Sequence, residues 1–252
     1  MSEATLFHDL LWVMLALSLV TFVALFVVTA PYGRHTRAGW GPSLPSTLGW
    51  LIMEAPASLA FIAFYLGGAA RAQLVPMVLL ALWQLHYVNR AFVYPFRRRG
   101  GDKPMPVAVV ALGVTFNLAN AWLNARWLSH FAAYSDAWLY DPRFAVGAAL
   151  FLVGFAINQH ADHVLRTLRA PGERGYKIPD GGLYRFVSAP NYLGEILEWS
   201  GWALASWSPA GLAFAVWTAA NLVPRAVANH RWYRRTFPAY PTGRRALVPF
   251  LF

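Results

Sequence analysis

The strongest constraint on this chain is a series of apolar runs, most of them close to the roughly 20 residues needed to cross a bilayer. They lie at about 8–29, 47–68, 73–95, 106–128, 144–165, 192–207 and 209–228. In hydrocarbon, backbone N–H and C=O groups must be satisfied within the segment, and runs of this length achieve that as helices. The sixth run is short and Pro209 follows it closely, so the last two helices are expected to be tilted or partly open to water. Composition agrees: of 252 residues, 58% are hydrophobic and 13% charged, against about 45–50% and about 25% in soluble domains. There is no cysteine, which excludes disulfides, thiolate metal sites and thiol nucleophiles. The opening "MSEATLFHDLLWVMLALSLV" has neither a basic n-region nor a small-residue cleavage site. Its apolar run continues to Ala30, so it reads as the first span rather than a signal peptide.

Charge gives the orientation. With the N-terminus outside, the inside segments carry Arg34 and Arg37; Arg97, Arg98, Arg99 and Lys103; Arg166, Arg169, Arg174, Lys177 and Arg185; and a tail with Arg225, Arg231, Arg234, Arg235, Arg244 and Arg245. The outside loops carry Arg71, Arg126 and Arg143, and Arg90 lies near a helix end. The positive-inside rule produces this asymmetry. The expected fold is therefore all-α and polytopic: seven transmembrane helices, N-terminus outside, C-terminus cytoplasmic. The net charge of +10 then reflects topology, since cations spread over four segments do not make one nucleic-acid-binding face.

Polar residues recur at helical spacing inside these runs. Asn158, Asp162 and Arg169 form one stripe, with His160 pointing elsewhere; Asn117, Asn120 and Asn124 form another. Asn191, Glu195 and Glu198 share a face, and Asn221, Arg225 and Asn229 lead into His230 and Tyr233. Any single asparagine is explained by helix–helix hydrogen bonding. Four consecutive seams, three of them near inside helix ends, point to a shared polar cavity open to the cytoplasm. The long inside loop "RTLRAPGERGYKIPDGGLYRFVSAP" interleaves cations with Tyr176 and Tyr184 among glycines. That composition fits either a turn-rich loop obeying the charge rule or a grip on phosphates and bases. No G-x-G-x-x-G follows a strand, so a Rossmann site is not expected.

The front of the chain differs. Glu54 lies well inside the second run, with Pro56 two residues on, and the third run contains "QLHYVNRAF" with Tyr87. A carboxyl in hydrocarbon favours its neutral form, and a neutral carboxylic acid and a phenol can both donate hydrogen bonds to one carbonyl oxygen. From the residues alone, Tyr87 reads as an interfacial aromatic, whereas Glu54 is too costly to be incidental.

Here a resemblance becomes specific. "HYVNRAFVYPF", "INQHADHVLRTLRAPGERGYKIPDGGLYRFVSAPNYLGEILEWSGWALASWS" and the ending "HRWYRRTFPAYPTGRRALVPFLF" are similar to steroid 5α-reductases (3-oxo-5α-steroid 4-dehydrogenases). The likeness runs from about Ala81 onward, is strongest from Gly154, and is weak in the first span. It implies a seven-helix membrane enzyme that uses NADPH to reduce the Δ4 double bond of a 3-oxo steroid entering from the bilayer. By position, Glu54 and Tyr87 match the family's pair that binds the 3-keto oxygen. Asn120, Asn158, Asp162, Arg169, Tyr176, Asn191, Glu195, His230, Tyr233 and Arg244 match its cofactor contacts, with Lys103 and Arg90 as further members. One departure is Met53, where the family often has Gln before the glutamate. The resemblance implies a single reductase domain, with about 1–105 on the substrate side and about 106–252 holding NADPH. The membrane is a bacterial inner membrane or the endoplasmic reticulum, and no metal, nucleic acid or obligate protein partner is expected. Related C-terminal pieces occur in trans-2-enoyl-CoA reductases and isoprenylcysteine methyltransferases, which leave two alternative activities open.

Overall fold

The computed structural model describes residues 2–29, 35, 39–98, 103–170, 173 and 175–252. Arg34, Arg37, Arg99 and Arg174, assigned above to the inside loops, and Pro171 and Gly172 of the long loop lie outside the described residues. The molecule is mostly helical: α1 (Glu3–Val27), α2 (Ser46–Leu66), α3 (Leu74–Val88), α4 (Tyr94–Arg97), α5 (Val107–Arg126), α6 (Pro142–Thr167), α7 (Pro190–Ser206) and α8 (Pro209–Thr236). Among the described residues, five helical segments are long and apolar enough to cross a membrane: α1, α2, α5 with its following turn to Phe131, α6 and α8. The chain is a multi-pass membrane protein on that basis.

Proline and small polar caps set the helix starts. Ser2 accepts from Thr5 N–H before α1, Asp141 accepts from Arg143 N–H before α6, and Ser208 accepts from Gly211 N–H before α8. Pro142, Pro190 and Pro209 occupy first helical positions, where a missing N–H costs nothing. Arg143 also chelates Asp141, its Nη2 lying 2.7 Å from Oδ2, and these bonds pull that carboxyl down to about 2. α3 passes through a π-helical turn, Asn89–Val93, into α4. Pro95 follows that turn, and a residue without an N–H, as in a π-bulge, disturbs the ordinary ladder.

Several boundaries differ from expectation. The seventh run ends near residue 228 by hydropathy, but α8 continues to Thr236, because its last turns are amphipathic and need no hydrocarbon. Arg225, Arg231, Arg234 and Arg235 therefore sit on a helix and not in a free tail. α7 starts at Pro190, and α1 at Glu3. An all-α chain also gains a two-stranded antiparallel ladder, β1 (Ser43–Pro45) with β2 (Pro104–Pro106), Leu44 facing Met105. It staples together the segments that lead into α2 and α5.

Packing is uneven. α6 and α7 run antiparallel in backbone contact: a Cβ at Gly154 would lie 2.4 Å from Glu198 N, and one at Gly201 2.4 Å from Phe151 N. Such close approach lets dispersion hold helices together where lipid is as apolar as the side chains. An aromatic core joins α2, α3, α7 and α8. Phe61 stacks on Trp83 at 4.4 Å, and Trp199 meets Phe214 at 4.3 Å. Trp83 Nε1 donates to the Ala57 carbonyl at 2.7 Å, satisfying its polar edge. At one end of the bundle Arg126 holds Glu3, Ala70 N–H donates to Ser129 and Trp138 Nε1 to the Ala205 carbonyl. At the other, His35 meets Asn229, and Arg244 donates to Pro179.

Candidate active site

Glu54 projects from α2 toward α5, where Asn117 Nδ2 donates to the Met53 carbonyl at 2.7 Å and to Glu54 Oε2 at 3.3 Å. The two helices approach closely because Gly113 makes room for Met53; a Cβ there would lie 2.3 Å from the Met53 Cγ. Met53 thus packs against α5. Arg90, Glu195 and His86 are the other polar neighbours that act electrostatically on Glu54. Tyr87 is buried at the end of α3 against Trp83, Trp199 and His86, with ring centroids 4.9, 5.6 and 4.9 Å away. Tyr87 is a core side chain and not an interfacial one.

The π-helical turn after α3 presents Arg90 inward. Its Nη2 lies 3.7 Å from Glu195 Oε2, and its guanidinium covers the Trp50 ring at 4.5 Å and the Tyr94 ring at 4.8 Å. Behind this pair, Asn191 Nδ2 reaches Asp162 Oδ1 at 3.4 Å, and Asn158 Nδ2 donates to the Asn191 carbonyl at 3.0 Å. Gln159 Nε2 donates to Asn89 Oδ1 at 2.9 Å, tying α6 to the π-helical turn. Asn120 is fully buried; its Oδ1 accepts from Asn124 at 2.9 Å, while its Nδ2 has no hydrogen-bond partner among the described residues. Glu54, Tyr87, Arg90, Asn158, Asp162, Asn191 and Glu195 are therefore brought into one buried polar region or onto its walls, whereas the Asn120 side chain is bonded only to Asn124 among the described residues.

A second group gathers at the helix ends beyond it. Lys103 Nζ lies 3.4 Å from the Tyr176 hydroxyl and 5.2 Å from its ring centre. Ser188 Oγ bonds His230 Nδ1 at 2.6 Å and the Tyr240 hydroxyl at 2.7 Å. Tyr233 stacks on Tyr240 at 5.2 Å, nearly parallel. Arg244 is buried; it donates from Nη1 to the Pro179 carbonyl at 2.8 Å and from Nη2 to Asp180 at 3.3 Å, and its Nε has no partner. Within the long loop, Lys177 lies 2.6 Å from Glu173, and that bond with Ala170 N–H holds the Glu173 carboxyl below the usual range.

Comparison with known proteins bears on what these groups serve. Residues 103–252 match the sequence model of the family described as 3-oxo-5-alpha-steroid 4-dehydrogenase. The chain belongs to the 3-oxo-5-alpha-steroid 4-dehydrogenase family. It is 45% identical to the 3-oxo-5-alpha-steroid 4-dehydrogenase 1 of Bos taurus, over 100% of this chain and 99% of that protein. The Homo sapiens protein of the same name is 42% identical, over 100% and 97% of the two chains. Steroid 5-alpha-reductase DET2 of Gossypium hirsutum is 41% identical, over 100% and 99%. As a member of the 3-oxo-5-alpha-steroid 4-dehydrogenase family, the chain is an oxidoreductase, and the likeness extends through the first helix as well.

Two expectations for this dehydrogenase-family chain need correction. Arg169 does not continue the Asn158–Asp162 stripe, because α6 ends at Thr167 and Arg169 turns to donate to the Gly175 carbonyl at 2.7 Å. Glu198, which shares the Asn191–Glu195 face expected to line a cavity open to the cytoplasm, is instead fully enclosed and lies 2.8 Å from His86 Nδ1. Asn124 of the α5 seam serves packing, accepting from Trp202 Nε1 at 2.9 Å. Asn117, Trp50, Tyr94 and His86 were not singled out as site residues. Asn117 was visible as the start of the α5 seam. His86 had no local signal, since its partner stands 112 positions away.

Proposed function

We propose that this chain reduces the Δ4 double bond of 3-oxo-Δ4-steroids, giving 5α-dihydro-3-oxosteroids by hydride transfer to carbon 5, with NADPH as the cofactor. The observation that carries the reading is Glu54, held by Asn117 inside the membrane helices, with Tyr87 buried on the following helix. A carbon–carbon double bond accepts hydride when conjugation with a ketone makes it electron-poor. Glu54 and Tyr87 then act as paired hydrogen-bond donors to the 3-keto oxygen, where negative charge gathers as the enolate forms; the enolate takes up one proton at carbon 4 to give the saturated ketone. The steroid partitions into lipid and enters from the bilayer among the first four spans.

NADPH, when bound, supplies the hydride. The residues present fit it. Two buried donors, Asn120 Nδ2 and Arg244 Nε, have no hydrogen-bond partner among the described residues. Asn120, Asn158, Asp162, Asn191, Glu195 and Arg90 would hold the nicotinamide half. Lys103, Arg169, Tyr176, His230, Tyr233 and Arg244 would hold the phosphates and adenosine, and their cations favour a 2′-phosphate.

The topology that goes with this reading has seven spans, N-terminus outside and C-terminus cytoplasmic. Supporting it, the helical run from Leu74 to Arg97 and α7 add two further rods to the five apolar ones. The contacts at the two bundle ends also alternate as an up-and-down chain requires. About 1–105 form the substrate side and about 106–252 the cofactor side of a single domain. Hydride transfer without a Rossmann domain is supported by the single two-stranded ladder among the described residues. Bacterial inner membrane and endoplasmic reticulum both suit this topology.

The test is turnover of a 3-oxo-Δ4-steroid by Glu54→Gln and Tyr87→Phe proteins whose cofactor affinity is measured alongside. Loss of such a donor is expected to lower kcat on the order of 10²-fold for Tyr87→Phe, and by less for Glu54→Gln, which keeps a weaker donor. Wild-type rates in both variants would refute the reading. Product analysis by mass spectrometry, with an enoyl-CoA offered in parallel, separates it from an acyl-CoA reductase.

A further inference from the structure

Beside Tyr87 lies a buried histidine–carboxylate pair that this reduction leaves unused. His86 Nδ1 and Glu198 Oε1 are 2.8 Å apart, with side chains 5% and 0% exposed. The second carboxylate oxygen of Glu198 is enclosed and has no hydrogen-bond partner among the described residues. The pair spans two helices, α3 and α7, and its α7 member is fixed by backbone contact with Gly154. On its other side the His86 ring meets the Tyr87 ring at 4.9 Å and Trp199 at 4.7 Å, both edge to face. Trp199 in turn packs on Tyr87 at 5.6 Å. Arg90 and Glu195 are the other charged groups that act on both members.

Stability does not account for this arrangement. A buried carboxylate loses to desolvation most of what its bond to the imidazole returns, and apolar replacements of buried polar pairs are often neutral or stabilising. Here one oxygen lacks even a hydrogen bond, so the fold gains less than usual. Orientation does account for it. A carboxylate on one imidazole nitrogen fixes the ring's tautomer and its rotation. The fixed ring then presents an edge to the phenol, which has two soft torsions and must reach one carbonyl oxygen.

We propose that Glu198 and His86 are positioning residues that act through Tyr87: the carboxylate fixes the imidazole, and the imidazole with Trp199 fixes the phenol for its hydrogen bond to the substrate carbonyl. This rests on the Tyr87 role proposed above. Misplacing a reacting group by about 1 Å costs up to about 10²-fold in rate, so a pair at one remove should govern kcat and not binding.

The experiment is a double-mutant cycle on the full chain in nanodiscs, with progesterone as the probe and NADPH affinity measured separately. Glu198→Gln preserves volume and leaves a carbonyl acceptor for His86. Its kcat is expected to fall on the order of tenfold, with steroid KM and NADPH affinity unchanged. In the Tyr87→Phe background, the same substitution is expected to have no further effect. A wild-type kcat in Glu198→Gln, or equal losses in both backgrounds, would overturn the pair's role while leaving that of Tyr87 intact. A wild-type kcat in Tyr87→Phe would overturn the Tyr87 role and this proposal with it. Should Glu198→Gln fail to accumulate as NADPH-binding protein, His86→Asn, which keeps a donor toward Glu198, is expected to show the same kcat loss. Failure of both to fold would assign the pair to the fold alone, against the proposal.

Discussion

The α6–α7 pair and α1 meet the same bilayer in opposite ways. α1 buries only Phe7, Leu11, Met14 and Ser18, a single stripe along its length. Trp12, Leu19, Val20 and Val23 on the rest of it are open to lipid. α6 and α7 instead set Gly147 and Gly154 against Gly201 and Gly194, backbone to backbone. Lipid is as apolar as leucine, so hydrophobicity alone gives two helices no reason to pair. Close pairing therefore marks where position matters, and α7 is the helix that carries Asn191, Glu195 and Glu198. The loosely seated helix carries none of the proposed site residues.

The sharpest way to break the contrast is Gly154→Val. Its Cβ would lie 2.4 Å from Glu198 N and 2.5 Å from the Gly194 carbonyl oxygen. Neither is a flexible side-chain end, so the helices must separate. Overpacking of this kind is expected to cost at least about 3 kcal/mol, read as a large fall in Tm and loss of NADPH binding. A Tm within a few degrees of wild type, on the order of 1 kcal/mol or less, would mean the α6–α7 contact is loose.

The same contrast explains what was legible in the sequence. A bilayer imposes length and apolarity on every span, so α1, α2, α5, α6 and α8 stand out by hydropathy, and proline marks the starts of α6, α7 and α8. Glu54 was legible because a carboxylate in hydrocarbon has few innocent explanations. The Asn191–Glu195 face was legible because helical periodicity carries over into space. Periodicity also misled, since it projected Arg169 onto a helix that had already ended at Thr167. The His86–Glu198 pair was not legible, because it depends on which helices become neighbours. That in turn depends on glycine contacts between α6 and α7 and on the aromatic core, and no periodicity within one helix reports either.

A smaller effect is expected where α1 is tethered. Arg126 at the end of α5 holds Glu3 through two bonds, Nε to Oε1 at 2.5 Å and Nη2 to Oε2 at 3.0 Å. Its Nη1 also reaches the Phe64 carbonyl at 3.4 Å. Arg126→Leu removes the tether, but Glu3 is 37% exposed and its carboxylate stays hydrated. The cost is expected to be about 1 kcal/mol, a Tm lower by a few degrees with kcat unchanged. A fall in kcat without a fall in stability would show that α1 helps to shape the site, and would erase the division drawn between the two regions.

The smallest effect belongs to the lipid face itself. Leu19 is 67% exposed along α1, and Leu19→Ala exchanges one lipid contact for another without leaving a cavity in the protein. The change is expected to stay within about 0.5 kcal/mol, as measured by Tm in lipid vesicles. The value of so small a prediction lies in its failure. A loss comparable with that at Gly154 would require the outer face of α1 to pack against something other than lipid. In a purified system a second copy of the chain is the only protein available to do so. Repeating the melt at tenfold lower protein-to-lipid ratio would then separate a dimer contact, which weakens on dilution, from an intramolecular one, which does not.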